Sequence, residues 1–434
     1  MHLMKWLYPG IGFKRWLFAF ALGTICVSLG VALVFNYQYL DAIEEAIFRF
    51  VYTWQGSYDY MFTAIAGAGL FVVGSILMLV AMRRVIRAII TALMPEGASA
   101  RLVDLVYEKT RLSRGPTVAV IGGGHGLSVL LRGIKELTSN VTAIVTVADD
   151  GGSSGRLREE LGIIPPGDLR NCLVALADTE PLMEKLFQYR FQSGTELKGH
   201  SFGNLFIAAM AEVTGDMEEA LKKSSKVLAV KGRVLPASTA HVRLDAVMED
   251  GTLVEGESHI PEVHKHIRRV KLFPEHVEPV ESALAAIREA DVVILGPGSL
   301  YTSIMPNLLV DGVAEALKKS QALKIYICNV LTQPGETDGY TASMHARAIL
   351  DHAGRGAIDY MLVNATPLPH GTAQILKKEG IEPVAIDEDA VNALGIGVVK
   401  ADLVNDDDVA HHDPEKLMKS VMKMAYKLHP GIGK

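Results

Sequence analysis

The stretch Thr117-Val-Ala-Val-Ile-Gly-Gly-Gly-His-Gly-Leu127 decides the fold. Thr117 to Ile121 is a short β-branched run closed by glycine, the pattern of a strand buried on both faces. Glycine fills every position from 122 to 126 except His125, and apolar residues at helical spacing follow from Leu127 to Leu137. Strand, glycine turn and helix make the first half of a βαβ unit. The pattern recurs downstream. Val141–Ala148, Asp291–Leu295, Lys324–Cys328 and Tyr360–Val363 read as further strands, and Asn307–Ser320 reads as helix. This alternation predicts an α/β fold with a doubly wound, mostly parallel, Rossmann-like sheet. Val234 to Leu272 reads differently. Short alternating segments around the Asp250-Gly251 turn predict a small antiparallel insertion at about 234–275.

Working outward toward the N-terminus, the composition changes. Trp16–Phe35 and Met61–Met82 are two uncharged apolar runs, each about the length that crosses a bilayer as a helix. A cleaved signal peptide would have a shorter apolar run ending in a small-residue site, and the second run argues for a helical hairpin. Lys5, Lys14 and Arg15 precede the first run, and Arg83, Arg84 and Arg87 follow the second. Asp41, Glu44, Glu45 and Asp59 lie between them against the lone Arg49. Positive flanks stay in the cytoplasm, so both ends are expected inside, and Phe48, Phe50, Tyr52, Trp54 and Tyr58 of the short loop act as interfacial anchors. The chain of 434 residues thus divides into a membrane hairpin at 1–83, with transmembrane helices at about 16–37 and 61–82, a juxtamembrane connector at 84–115 broken at Pro95-Glu-Gly, and a nucleotide-binding domain at 116–434. The expected location is the cytoplasmic membrane, multi-pass, with membrane lipid around the hairpin and the soluble domain facing the cytoplasm.

Net charge is −6, which gives no basic excess and no sign of a nucleic-acid partner. Three widely spaced cysteines, Cys26, Cys172 and Cys328, make neither a metal motif nor a disulfide framework. No HExxH, GxSxG or cysteine–histidine cluster occurs, and no structural metal is assigned.

The candidate chemistry lies in glycine-rich loops that follow strands. Gly122, Gly123, Gly124, His125 and Gly126 open the first helix, whose free N–H groups suit a phosphate. A tight strand–helix turn needs similar glycines, and the stretch is neither a GxGxxG fingerprint nor a P-loop. Asp149 and Asp150 end the second strand, where an acid can hold a ribose, a metal or a reacting hydroxyl; a helix cap before a solvated turn is the plain alternative. Gly152, Ser153, Ser154 and Arg156 follow with backbone donors, hydroxyls and a guanidinium. Asp168 and Asn171 sit in Pro165-Pro-Gly-Asp-Leu-Arg-Asn, with Asp168 placed as a helix N-cap or a ligand contact. His200 and Asn204 introduce the next apolar helix. Gly296, Gly298, Ser299, Tyr301 and Thr302 form a second candidate cradle, and Asn329 and Thr332 follow another strand. Two cradles in one sheet suit a nucleotide diphosphate better than a lone phosphate.

Taken together, AVIGGGHGLSVLLRG, VTVADDGGSSGRLREELGIIPPGDLRNCLVALA, GHSFGNLF, VLAVKGRVLPAS, LGPGSLYTSIMPNLLV and CNVLTQPGETDGYTA closely resemble the YvcK family, the gluconeogenesis factors. The resemblance covers nearly all of 117 to about 365. Its wider superfamily includes CofD, the 2-phospho-L-lactate transferase. The resemblance implies a UDP-sugar ligand (UDP-GlcNAc or UDP-glucose), a role in cell shape and wall synthesis on gluconeogenic carbon sources, cell-wall synthesis proteins as partners, and a homodimer. The CofD side implies instead a Mg²⁺-dependent transfer of a phosphoryl-linked group from a nucleotide diphosphate donor. In that case Asp149 and Asp150 would be catalytic, Arg156 would neutralise developing charge, and Mg²⁺ would be the cofactor. The family is usually soluble, so the N-terminal hairpin departs from its commonest form. Sensor and transferase need the same cradle, and sequence leaves both open. A dinucleotide-dependent oxidoreductase is disfavoured by the imperfect glycine fingerprint.

Overall fold

The computed structural model describes residues 14–35, 60–93, 102–178, 181–368, 375–405 and 412–428, together with Glu45, Arg49, Tyr52 and Thr53. Lys5, Asp41, Glu44, Asp59, Phe48, Phe50, Trp54, Tyr58 and the Pro95-Glu-Gly break lie outside the described residues. The chain forms two compact units, Met1–Glu108 and Lys109–Lys434.

The first unit holds α1 (Lys14–Phe35) and α2 (Tyr60–Leu93). Both contain stretches long and apolar enough to cross a membrane, and most of that surface is exposed. Sequence ends the second apolar run at Met82, whereas α2 continues through Arg83, Arg84 and Arg87 to Leu93. That extension has no glycine or proline to stop it. The two helices run antiparallel and meet through glycine. A Cβ on Gly30 would lie 2.7 Å from the Phe71 nitrogen and 2.8 Å from the Gly67 oxygen; one on Gly23 would lie 2.9 Å from the Gly74 oxygen. Gly23 and Gly30, like Gly67 and Gly74, are seven residues apart, so each pair lies on one helix face. Small residues let two backbones approach where lipid supplies no hydrophobic drive. At the hairpin's open end, the Arg84 guanidinium lies over the Trp16 ring, 5.1 Å from its centroid, a favourable cation–π contact.

Helix α3 (Leu102–Ser113) contains the boundary between the units, and the second unit continues from it into β1 (Val118–Gly122), α4 (Gly124–Ile134) and β2 (Val141–Val145). Helices α5 (Gly152–Leu161), α6 (Gly167–Leu176), α7 (Pro181–Gln188), α8 (Phe202–Thr214) and α9 (Met217–Val227) precede β3 (Arg233–Pro236). The antiparallel strands β4 (Arg243–Met248), β5 (Leu253–Glu255) and β6 (Ile267–Phe273) follow, then α10 (Glu281–Glu289) and β7 (Val292–Leu295). A π-helical turn at Leu300–Ile304 runs into α11 (Met305–Leu308), followed by α12 (Val313–Lys319), β8 (Leu323–Ile327), α13 (Ala342–Ala353), β9 (Tyr360–Asn364), α14 (Glu388–Ala393), β10 (Gly397–Ala401) and α15 (Pro414–Leu428). The main sheet has the order β10-β9-β8-β7-β1-β2-β3 with parallel pairing throughout, and β5-β4-β6 form a separate antiparallel sheet. This is the doubly wound sheet with a small antiparallel addition that the sequence predicts.

Several boundaries differ. β2 ends at Val145, short of the expected Ala148. Val234 belongs to β3, which pairs parallel to β2, so the insertion begins after the parallel sheet has taken its edge strand. The run Arg233-Val-Leu-Pro alternates like an antiparallel strand because an edge strand has one wetter side. Asn307–Ser320 is not one helix: Asp311-Gly312 separates α11 from α12, with Gly312 at φ +81°. Strands β1, β2, β7 and β8 are buried at every position. Burial on both faces is why they read as continuous apolar runs rather than alternating ones.

The strand order fixes where a ligand can sit. From β1 the chain proceeds to β2 and β3 on one side and later returns to place β7 on the other. The order therefore reverses between β1 and β7, and open α/β sheets bind ligands in the crevice beyond the strand ends at such a point.

Candidate functional site

Two loops leave the sheet at that reversal, one after β1 and one after β7, and they pack backbone to backbone. A Cβ on Gly126 would lie 2.7 Å from the Pro297 oxygen, and one on Gly298 would lie 3.2 Å from the Gly123 oxygen. Gly124 (φ +68°) and Gly296 (φ +79°) also adopt backbone that side chains disfavour. Between these loops and the loop after β8 lies a cavity of about 520 Å³, within the usual range for small-molecule sites. Of the residues singled out from sequence, it brings together Gly123, Gly124, His125, Gly126, Gly298, Ser299, Asn329 and Thr332. Its floor is the start of α4, where backbone N–H groups and the helix dipole face the space. A larger hollow of about 730 Å³ lies beside the edge strand β3, lined by residues of α9 and β3, away from both glycine loops.

The third loop closes the cavity with a chain of side-chain hydrogen bonds. Asn329 Nδ2 donates to Gln333 Oε1 (3.0 Å), and Gln333 Nε2 donates to Ser299 Oγ (2.8 Å). Thr332 is tied outward instead, its Oγ1 accepting from the Glu382 N–H at 2.9 Å. Glu336 lines the cavity and is buried. Thr302 Oγ1 donates to its Oε1 at 3.2 Å, while its Oε2 is buried without a partner. Burial pushes this carboxyl up to about 7, against hydrogen bonds from Thr302 and from the Tyr301 and Thr302 backbone that lower it.

More carboxyls gather beside the first loop. Asp168 accepts a hydrogen bond from the Gly124 N–H, and burial followed by the charge of Asp149 raises it to about 6. Burial also raises Asp149, which accepts from Gly151 N at 2.9 Å. Glu257 is pushed to about 9, first by burial and then by the charges of Asp149, Asp168, Asp150 and Glu336. Asp150 is engaged as a clamp: its two oxygens accept from the Glu257 N–H (2.9 Å) and the Ser258 N–H (3.0 Å), tying the antiparallel insertion to the strand end.

Other predicted residues are placed elsewhere. Gly122 ends β1, and its carbonyl accepts from Asn307 Nδ2 at 3.1 Å. The Tyr301 hydroxyl turns into the core, 2.9 Å from that of Tyr340. Gly152 opens α5, and Ser153 Oγ lies 3.0 Å from His200 Nδ1 and accepts from Asn204 Nδ2 at 3.1 Å, forming a buried polar network. The Ser154 hydroxyl bonds Asp149. Arg156 reaches the Lys198 carbonyl at 3.1 Å and does not line the cavity. Asp168 is not an N-cap: Pro166 holds that position, and the Asp168 carboxylate, one residue into the helix, turns to α4 instead. Asn171 lines a separate hollow. Sequence reading did not single out Glu257, Gln333, Glu336, Ile381 or His412. Gln333 and Glu336 stand in the loop that follows Asn329 and line the cavity with Ile381 and His412; Glu257 sits among the acids beside the first loop, and it, Ile381 and His412 come from distant segments that carry no local signal.

Among the described residues, no group of three or more His, Cys, Asp or Glu side chains is arranged to hold a metal ion by itself. Mg²⁺, however, commonly takes one or two carboxylates and completes its shell with ligand phosphates and water. Asp149 and Asp168 fit that mode. They are hard oxygen donors beside a phosphate-sized cradle, and the charge of Asp149 raises the pKa of Asp168.

The model of the family described as 2-phospho-L-lactate transferase CofD matches residues 118–404. A gluconeogenesis factor of Halalkalibacterium halodurans is 54% identical over 70% of this chain and 95% of its own length. A relative from Nostoc sp., assigned to the same factor, is 45% identical over 98% of this chain and 93% of its own length. Relatives therefore come in a longer form that matches the region of the hairpin and a shorter form about the size of the second unit. A crystal structure of a Bacillus halodurans protein, 54% identical, superposes with a TM-score of 0.69 over 71% of this chain and 99% of that one.

Proposed function

The chain belongs to the CofD family, among its gluconeogenesis factors, and from that premise we propose that its cavity binds a UDP-sugar, UDP-GlcNAc or UDP-glucose. In this reading the protein is a regulator of cell shape, wall synthesis and gluconeogenic carbon metabolism that acts as a homodimer on wall-synthesis proteins. The observation that carries the reading is the cavity at the strand reversal, floored by the N-terminus of α4 and walled by two glycine loops in backbone contact. A diphosphate fits there, with one phosphate on each loop's N–H groups, and the loop Asn329–Gln333 offers amides to a sugar or base. The raised carboxyls of Asp168 and Glu257 would repel a diphosphate when ionised. Mg²⁺ held by Asp149 and Asp168 would turn that repulsion into attraction, which makes binding metal-dependent.

The hairpin would hold this domain at the cytoplasmic face of the membrane, where wall precursors are assembled. The exposed apolar surface of α1 and α2 supports this, as does the basic end formed by Arg83, Arg84 and Arg87 beside Trp16.

A second reading, transferase activity of the CofD type, is favoured by one observation. Glu336 faces the cavity with an unpartnered oxygen and a pKa of about 7, the value at which a carboxyl exchanges protons readily near neutral pH. Calorimetric titration of the full chain in detergent with UDP-GlcNAc, UDP-glucose, GDP and NAD, with and without Mg²⁺, separates the two. Mg²⁺-dependent binding of an unchanged UDP-sugar is the expected result. Turnover, or preference for GDP with loss of turnover in Glu336→Gln, would favour the transferase. No heat from any nucleotide would overturn both.

A further inference from the structure

A second, basic hollow lies on the other side of His125 and has no part in the reading above. His125 and Arg132, seven residues apart on one face of α4, look across about 420 Å³ at Arg170 and Asn171 of α6 and at Gln188 and Arg190 at the end of α7. Arg170 is held in position by neutral oxygens. One terminal nitrogen donates to Ser201 Oγ (2.5 Å) and Asn204 Oδ1 (2.9 Å), and the other donates to Asn171 Oδ1 (2.6 Å). Its Nε is buried and donates to nothing. The Arg190 guanidinium bonds the Gly199 carbonyl, again a neutral acceptor. At the rim, Glu184 lies 3.7 Å from Arg132, with both side chains half-buried. Asp168 and Asp149 act on Arg170 only through space. Three arginines therefore line one hollow, and among the described residues the carboxylate paired with them at its edge is Glu184.

Such an arrangement is unfavourable when empty and favourable around an anion, because guanidinium forks match the two-oxygen edge of carboxylate and phosphate. We propose that this hollow is a second ligand site, taking a small, multiply charged oxyanion carried by a phosphate ester or a polycarboxylate. His125 lines both cavities. An occupant of the arginine hollow therefore shares a side chain with the cradle's ligand, and the two affinities are linked reciprocally. The site is a control input to the cradle. Its arginines attract an anion whichever ligand the cradle takes.

The test is calorimetric titration of the full chain in detergent with inorganic phosphate and, separately, with succinate, in a buffer free of both. Saturable binding is expected, weakened about tenfold by Arg132→Gln, the loss of one charge-assisted hydrogen bond. Arg190→Gln should weaken it similarly. Because Arg190 also holds the Gly199 carbonyl, the Arg132 variant is the deciding one. Binding of phosphate alone identifies a phosphate ester, and binding of succinate alone a polycarboxylate. Absence of saturable binding for both probes, or equal affinity in wild type and Arg132→Gln, would overturn the proposal. UDP-GlcNAc titrated in parallel keeps the two readings apart: phosphate binding that needs Arg132, in a chain that ignores UDP-GlcNAc, removes the cradle reading and leaves this one standing.

Discussion

Replacing Glu257 by glutamine should stabilise the ligand-free protein, and only at neutral to alkaline pH. The carboxyl of Glu257 stands among Asp149, Asp168, Asp150 and Glu336, and burial with their charges raises it from 4.5 to about 9. Up to that pH the folded chain keeps a proton that the unfolded chain releases above about 4.5. A raised carboxyl contributes its full stability below the unfolded value and loses it as pH rises through the folded one. Each pH unit in that window costs about 1.4 kcal/mol, or about 3 kcal/mol between the unfolded value and pH 7. Relaxation and water entry reduce this to the order of 1–3 kcal/mol. Glutamine keeps the shape and a donor but has nothing to ionise. Thermal unfolding of both proteins at about pH 5 and about pH 8 reads the effect. At the higher pH the variant should melt a few degrees above wild type; at the lower pH the two should nearly coincide. A variant that shifts the melting point equally at both pH values, or lowers it at the higher one, would refute the idea that this carboxyl is held protonated by its neighbours.

Three other substitutions probe other parts of the argument. Gly126→Ala puts a Cβ 2.7 Å from the Pro297 oxygen; overpacking against backbone should cost about 1–3 kcal/mol and weaken UDP-sugar binding at least about tenfold, read by melting and titration. Asp150→Ala removes the acceptor for two amides; a bond to a charged group contributes about 1.5–3 kcal/mol, so hydrogen exchange at Glu257 and Ser258 should accelerate before the rest of the unit. In the hairpin, Gly30→Leu meets the Phe71 nitrogen and Gly67 oxygen and should widen the distance between spin labels on α1 and α2, whereas a substitution at Gly69, which has open space around it, should not.

The sheet was legible where strands are buried on both faces. Val118–Gly122, Val141–Val145, Val292–Leu295 and Leu323–Ile327 read as apolar runs because both sides of each strand meet core. Edge position hid the others: β3 ends in proline and alternates, and β10 is only partly buried. Strand order leaves no trace in a linear pattern, so the reversal between β1 and β7 had to be seen. In the site, a Cβ on Gly123 would meet the Thr146 and Asp168 side chains, and at Gly126 and Gly298 close backbone contact between the loops permits little else, so the glycine loops were legible. That same packing means their glycines are required by loop–loop contact whether or not a phosphate binds. The acids were legible only in part. Asp149 comes soon after β2 in the chain, but Glu257 arrives from the insertion through the Asp150 clamp, a partnership 107 residues apart in the chain. The reach of Arg156 toward Lys198, away from the cavity, was likewise invisible, since a guanidinium's direction is set by whichever carbonyl lies within range.

The glycine seam of the hairpin has a genetic consequence. Every glycine codon begins with the same two bases, and any change at either yields a residue with a Cβ or a stop. At Gly23, Gly30, Gly67 and Gly74 such a Cβ meets a backbone atom of the opposite helix within 3.2 Å. No single-nucleotide path therefore leads from this seam to a looser one through a neutral intermediate. Lineages that carry the hairpin should keep all four positions unchanged even as the surrounding apolar residues drift, and lineages without it should have lost the segment whole rather than by gradual erosion.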